Sequence, residues 1–160
     1  MENSSAALAN KLRQEGQKNL EFFESIPAED WDIQVYTDGP GWNVREVISH
    51  ISATEQDIPN LIQGIVGGGA GVNEDFNIDR FNAGRVNKLG MRDKAVLLAE
   101  FSERRERTVE MTQAFSDEDL KKLGRHPFLG ESQVIEMIKL MYLHINLHIR
   151  DIKAVLRDSG

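Results

Sequence analysis

Two histidines stand four residues apart near the C-terminus, in Leu143-His144-Ile145-Asn146-Leu147-His148-Ile149-Arg150. On an α-helix this spacing puts both imidazoles on one face, one turn apart. Stepping 100° per residue from His144 places His148 at about 40°, Met137 and Val155 at about 20°, Met141 at about 60°, and Val134 and Ile152 at about 80°. Lys139, Arg150 and Arg157 gather near about −130° on the same projection. Both imidazoles therefore lie within the apolar stripe. A buried imidazole costs free energy unless it finds a partner, and a metal ion meets the needs of both nitrogens at once.

His50 is the third candidate. The apolar residues Val44, Val47, Ile51, Ile58, Ile62 and Ile65 centre about 90° away from it on a helical projection, so it stands at the edge of a core face. Asn43, Glu46, Thr54 and Asp57 share its side. Two ligands on one helix and one on another, with no fourth in view, is the pattern of an open metal site of the catalytic kind. The bland alternative is a set of core histidines bonded to carbonyls or carboxylates. His126, in His126-Pro127-Phe128-Leu129-Gly130, reads as structural, with lining of the site as the lesser alternative, and Met137 and Met141 read as core filler rather than soft ligands.

Four long helical stretches are available to position these groups. The first spans about Ser5 to Ile26 and ends at Pro27, which opens a short turn to Trp31. The second begins at Asn43, whose cap is completed by Glu46 three residues on, and runs to the glycines at 67–69 with a kink expected near Asp57 because of Pro59. The third spans about Arg92 to Phe115, with Ser116 capping a short turn from Asp117 to Leu123. The fourth spans about Ser132 to Arg157. An all-α four-helix bundle with long connecting loops follows. Asp32 to Thr37 alternates briefly but is flanked by Asp38-Gly39-Pro40-Gly41, and is read as an extended loop. The connection from Gly67 to Gly90 is long for a compact domain, and Asp79 to Lys88 can form a short helix inside it. Its run Gly67-Gly68-Gly69-Ala70-Gly71 lacks the following Gly-Lys-Ser/Thr of a phosphate loop and reads as a hinge or helix C-cap.

Composition narrows the function classes. With 160 residues the chain is read as one domain, 1–160. Its 19 Lys and Arg against 26 Asp and Glu give a formal charge of −7, which argues against a nucleic-acid partner. Cysteine is absent, so disulfides, thiolate metal sites and cysteine nucleophiles are all excluded. No apolar run reaches the length of a membrane span, and the polar first residues lack a secretory h-region, so no membrane partner and a cytoplasmic location are expected.

The ordered set Gly41-Trp42-Asn43-Val44-Arg45-Glu46-Val47-Ile48-Ser49-His50, then Asp79-Arg80-Phe81-Asn82, then His126-Pro127-Phe128-Leu129-Gly130, then His144-Ile145-Asn146-Leu147-His148-Ile149-Arg150-Asp151-Ile152 resembles the DinB/YfiT-like superfamily of metal-dependent enzymes over nearly the whole chain. The resemblance implies an up-down-down-up four-helix bundle, often a homodimer. It also implies a divalent metal, zinc or nickel, held by His50, His144 and His148. Characterised members are thiol-dependent transferases or isomerases that use mycothiol or bacillithiol, and others are hydrolases.

Three neutral ligands leave a bound divalent ion its full charge and an open position, where it lowers the pKa of a water or a thiol. The first route gives hydrolysis of a small-molecule substrate. The second gives transfer of a thiol cosubstrate, and it suits a chain without cysteine; it is the leading expectation. A metal-binding or small-molecule-binding bundle without catalysis is the non-enzymatic alternative. Glu46 and Asp57 are the candidate bases or supporting acceptors for ligand imidazoles, with Asp151 near the face of His148. Arg45, Arg80 and Arg85 are available to an anionic substrate.

Overall fold

The computed structural model describes residues 3–89 and 93–159. Its long elements are α1 (Ser5–Ser25), α2 (Val44–Val66), α4 (Lys94–Gln113) and α6 (Val134–Ser159), with α3 (Ile78–Leu89) and α5 (Asp117–Lys121) between them. A 3₁₀ turn spans Ala28–Asp32, and strands β1 (Leu123–His126) and β2 (Gly130–Gln133) precede α6.

Local chemistry sets most of these limits. Ser4 Oγ accepts from the Ala7 N–H and starts α1, and Ile26 and Pro27 stop it. Asn43 and Glu46 close a full capping box on α2, each side chain accepting the other's backbone N–H. Ser116 and Asp119 do the same for α5. α2 continues through Pro59 to Val66. The proposed third helix begins, among the described residues, at Lys94 behind Asp93; Arg92, its expected start, lies outside them, as does Gly90. The short helix expected at Asp79 to Lys88 is α3.

α1 packs on α4 and α6, and α2 packs on the same two helices. The four long helices thus form a ring in which α1 and α2, consecutive in the chain, face each other across the bundle. Apolar side chains fill it as two clusters. One gathers Phe23, Trp31, Ile48, Phe101, Ile149 and Ile152; the other gathers Leu8, Leu12, Ile62, Val109, Met137 and Ile138. Between them along α2 and α4 sit Glu55 and Arg105, whose side chains are 1% and 5% exposed. Arg105 grips both carboxylate oxygens through Nε (2.8 Å) and Nη2 (2.9 Å), and its Nη1 donates to the Leu12 carbonyl of α1. One ion pair therefore ties three helices, a geometry that offsets the cost of desolvating both charges.

The connection into the last helix, among the loops expected, is instead an antiparallel hairpin, with Leu123 opposite Gln133 and His126 opposite Gly130. The glycine run serves this hairpin. Ala70 O accepts from Arg125 N and Val72 N donates to Arg125 O, so the chain adds one parallel bridge at Gly71. Gly71 has φ +91°, and a Cβ there would fall on the backbone of Arg125, so only glycine fits. Among the described residues no helix is long and apolar enough to cross a membrane.

Candidate metal centre

The capping box of α2 fixes where that helix begins, and hence which way His50 points. His50 is buried, with its ring centroid 5.0 Å from that of Trp42. From α6, His144 and His148 approach it, each with a ring centroid 5.3 Å from that of His50. One ring nitrogen from each of the three lies within 4.8 Å of the others. Among the described residues this is the group of histidines and acids placed to hold a metal ion. The angular reading of α6 agrees with the structure around it: Val134, Met137, Met141 and Ile152 are buried beside the two imidazoles.

A fourth participant comes from the segment between the 3₁₀ turn and α2. There the chain doubles back through Gly39 (φ +57°) and Gly41 (φ +63°), and Val35 and Tyr36 N–H both bond the Trp42 carbonyl. This delivers the Tyr36 hydroxyl to 2.8 Å from His148 Nδ1 and 2.8 Å from Asp151 Oδ2. A phenol has one hydrogen. Burial and the Asp151 carboxylate push the Tyr36 pKa well up, so it keeps that hydrogen and donates it to Asp151. His148 Nδ1 must then be the donor to Tyr36 Oη. A neutral imidazole protonated at Nδ1 has a bare lone pair at Nε2. That Nε2 stands 3.0 Å from His144 Nε2. Tyr36 and Asp151 thus set the tautomer of a candidate ligand, the role such outer partners play at metal centres.

Electrostatics point the same way. Burial, with His148 and His144 adding to it, pushes His50 down to about 3. Burial and His144 push His148 down to about 4, against the pull of Asp151. Burial lowers His144 as well. All three are neutral near pH 7, the state that binds a metal. The donor set fits a divalent ion: nitrogens each about 2.0–2.1 Å from a tetrahedral zinc stand roughly 3.3 Å apart, close to the observed spacing of the α6 pair. His50, His144 and His148 would hold it.

A cavity of about 520 Å³ opens beside the trio, lined by His50 and His144 but not by His148. Asp57 lines it too, bound to Arg85 of α3 through Nε (3.1 Å) and Nη2 (3.3 Å). Burial raises the Asp57 pKa and Arg85 opposes the rise. The other sequence candidate, Glu46, is not part of this wall; its Oε1 accepts the Asn43 N–H in the helix cap. Glu46 lies on the right side of α2, but the helix start engages its carboxylate first. Of the arginines considered for an anion, Arg85 is engaged by Asp57, Arg45 lies over the Trp31 ring with Asp32 beside it, and Arg80 is exposed. His126 shapes the hairpin, as its structural reading expects, and it also lines the cavity, the lesser alternative for it.

Residues 11–152 match the family model of the DinB superfamily. The chain belongs to the DinB superfamily. No curated protein matches it in sequence. Among solved structures it is similar to YfiT from Bacillus subtilis, described as a probable metal-dependent hydrolase with an unusual four-helix bundle topology. That likeness has a TM-score of 0.79 at 18% identity and covers 98% of this chain and 87% of YfiT. It is also similar to the mycothiol-dependent maleylpyruvate isomerase, with a TM-score of 0.73 at 12% identity, over 92% of this chain and 59% of the isomerase. At these identities the likeness speaks for the fold. The ring of helices with α1 across from α2 is the DinB bundle, and the three histidines that converge inside it stand on α2 and α6.

Proposed function

We propose that this DinB-superfamily chain is a divalent-metal-dependent enzyme acting on small molecules, and that hydrolysis is its first activity. The observation that carries the reading is the two-sidedness of the trio. Tyr36 and Asp151 close the far side of His148, whereas His50 and His144 border a cavity of about 520 Å³, within the usual size of ligand pockets. A divalent ion held there supplies a Lewis acid with an open position and brings a water or thiol toward ionisation near neutral pH.

The chain's own residues divide the remaining work. His50, His144 and His148 present neutral nitrogens and leave the charge of the ion uncancelled. Tyr36 and Asp151 hold His148 in the tautomer that offers Nε2. Asp57, the carboxylate of the cavity wall, receives or returns a proton, and Arg85 steadies it.

Thiol transfer is the second reading. It is favoured by the absence of cysteine, since a sulfur nucleophile must then arrive on a cosubstrate, and by similarity to an isomerase that is mycothiol-dependent. Zinc and nickel are the metals we propose for either.

The test is metal content by plasma mass spectrometry beside turnover of simple aryl esters, with and without added thiol. Wild type should carry about one zinc or nickel per chain, and His50→Ala, His144→Ala and His148→Ala should each lose it. Ester cleavage without thiol supports hydrolysis, and dependence on thiol supports transfer. Full metal occupancy in all three variants would overturn the site.

A further inference from the structure

The walls of the cavity define the kind of molecule that enters it. Ile58, Leu61, Phe76, Phe81, Met137 and Met141 make its surface largely apolar. Asp57 and Arg85 are engaged with each other, and Asp79, the remaining charged residue of the lining, is exposed to solvent. A charged group carried on the body of a ligand would leave water for a largely apolar wall whose half-buried charges, Asp57 and Arg85, are already paired, which is costly.

His126 adds one directed contact. Its Nδ1 accepts two backbone N–H groups of the hairpin turn, from Phe128 at 3.0 Å and from Leu129 at 3.2 Å. Nδ1 therefore bears no hydrogen, and in a neutral imidazole the hydrogen resides on Nε2. Burial, with His144 nearby, pushes the ring down to about 4, so it is neutral near pH 7. The turn thus locks His126 as an Nε2–H donor in a residue that lines the cavity. Neutral imidazoles held by backbone donors are effective partners for carbonyl oxygens.

We propose that the cavity binds uncharged carbonyl compounds, amides or esters, burying an aliphatic or aromatic body against its apolar wall and giving the carbonyl oxygen to Nε2–H of His126. This substrate class rests on the reading of the trio as the reacting end of the cavity.

The experiment is a calorimetric titration with butanamide, hexanamide and octanamide, on zinc-loaded protein and on protein stripped with a chelator. Each added methylene should tighten binding about fourfold in both forms. In stripped protein, octanoate should bind at least about tenfold more weakly than octanamide. A flat series, or octanoate equal to octanamide, overturns the proposal.

A second arm isolates His126. The variant His126→Asn keeps an acceptor in the place of Nδ1 for the Phe128 and Leu129 N–H groups and deletes Nε2–H. All amides should weaken by about two- to tenfold while toluene, which has no acceptor, is unchanged. Equal losses for toluene and amides would make His126 a hairpin residue only and overturn its part. Failure here is separable from failure of the metal reading. A protein that takes up no metal yet shows the chain-length slope keeps this inference, and a metal-loaded protein with a flat slope refutes it.

Discussion

The substitution Tyr36→Phe isolates the outer support of the proposed metal centre. It removes one oxygen and keeps the ring, whose centroid lies 6.0 Å from that of His148. Two hydrogen bonds go: the donation to Asp151 Oδ2 and the acceptance from His148 Nδ1, both at 2.8 Å. Asp151 keeps Arg150 on Oδ1, so its charge is not stranded. His148 loses the acceptor that fixes its hydrogen on Nδ1. The Nε2–H tautomer then becomes accessible, and metal binding must work against it. Loss of such a partner costs about 10- to 100-fold in metal affinity, or roughly 1.4–2.7 kcal/mol. The assay is zinc competition against a chromophoric chelator, with Tyr142→Phe as control because that phenol lies near Lys11 and not at the trio. Asp151→Asn, which still offers Tyr36 an acceptor, should lose less than Tyr36→Phe. A Tyr36→Phe affinity within about twofold of wild type would refute the tautomer argument.

Three further outcomes follow from the same geometry. Glu55→Ala leaves Arg105 charged and buried, and should cost about 3–5 kcal/mol, lowering Tm by roughly 10 °C in a thermal melt; Glu55→Leu combined with Arg105→Met should recover much of that loss. Gly71→Ala puts a Cβ on the Arg125 backbone at φ +91°, so hydrogen exchange at Val72 and Arg125 should quicken with a loss of about 1–3 kcal/mol. Metal-free protein should lose stability as pH falls from about 6.5 toward about 4, measured by denaturant titration. The unfolded chain takes up protons near the ordinary histidine pKa of about 6.5, whereas buried His50, His126, His144 and His148 refuse them until lower pH, so the native state is favoured above that window and penalised within it. Asp57, whose pKa is raised, acts in the opposite sense at the acid end.

The parts of this protein that follow from local rules were legible in the sequence. Helical phase put His144 and His148 among Met137, Met141 and Ile152, and the Asn43–Glu46 pair marked the start of α2, because both depend on residues a few positions apart. The hairpin was not legible. Leu123-Gly124-Arg125-His126 contains no β-branched residue, and its pairing is completed by Gly71, far away in the chain. Tyr36 was missed for a similar reason. Its role arises from a turn through Gly39 and Gly41 that carries it to α6, a contact 112 residues away in sequence. Glu46 and Asp57 share a helical side with His50, but phase alone does not reveal that a cap engages one carboxylate and a cavity receives the other.

The two carboxylates that do attend the site differ in what they can exchange with a ligand. Asp151 accepts from Tyr36 on one oxygen and holds Arg150 on the other, so its charge serves to fix a hydrogen in place. Asp57 stands in the cavity wall, where burial favours its neutral form and Arg85 restrains that tendency. A carboxylate poised between those opposing effects is suited to exchanging a proton in the proposed reaction. The bundle makes this division possible by approaching the histidines from two directions: the doubled-back segment before α2 on one side, and α3 with the hairpin on the other. A single helix pair could supply the three imidazoles, but not a closed side that sets a tautomer and a side that opens on a cavity.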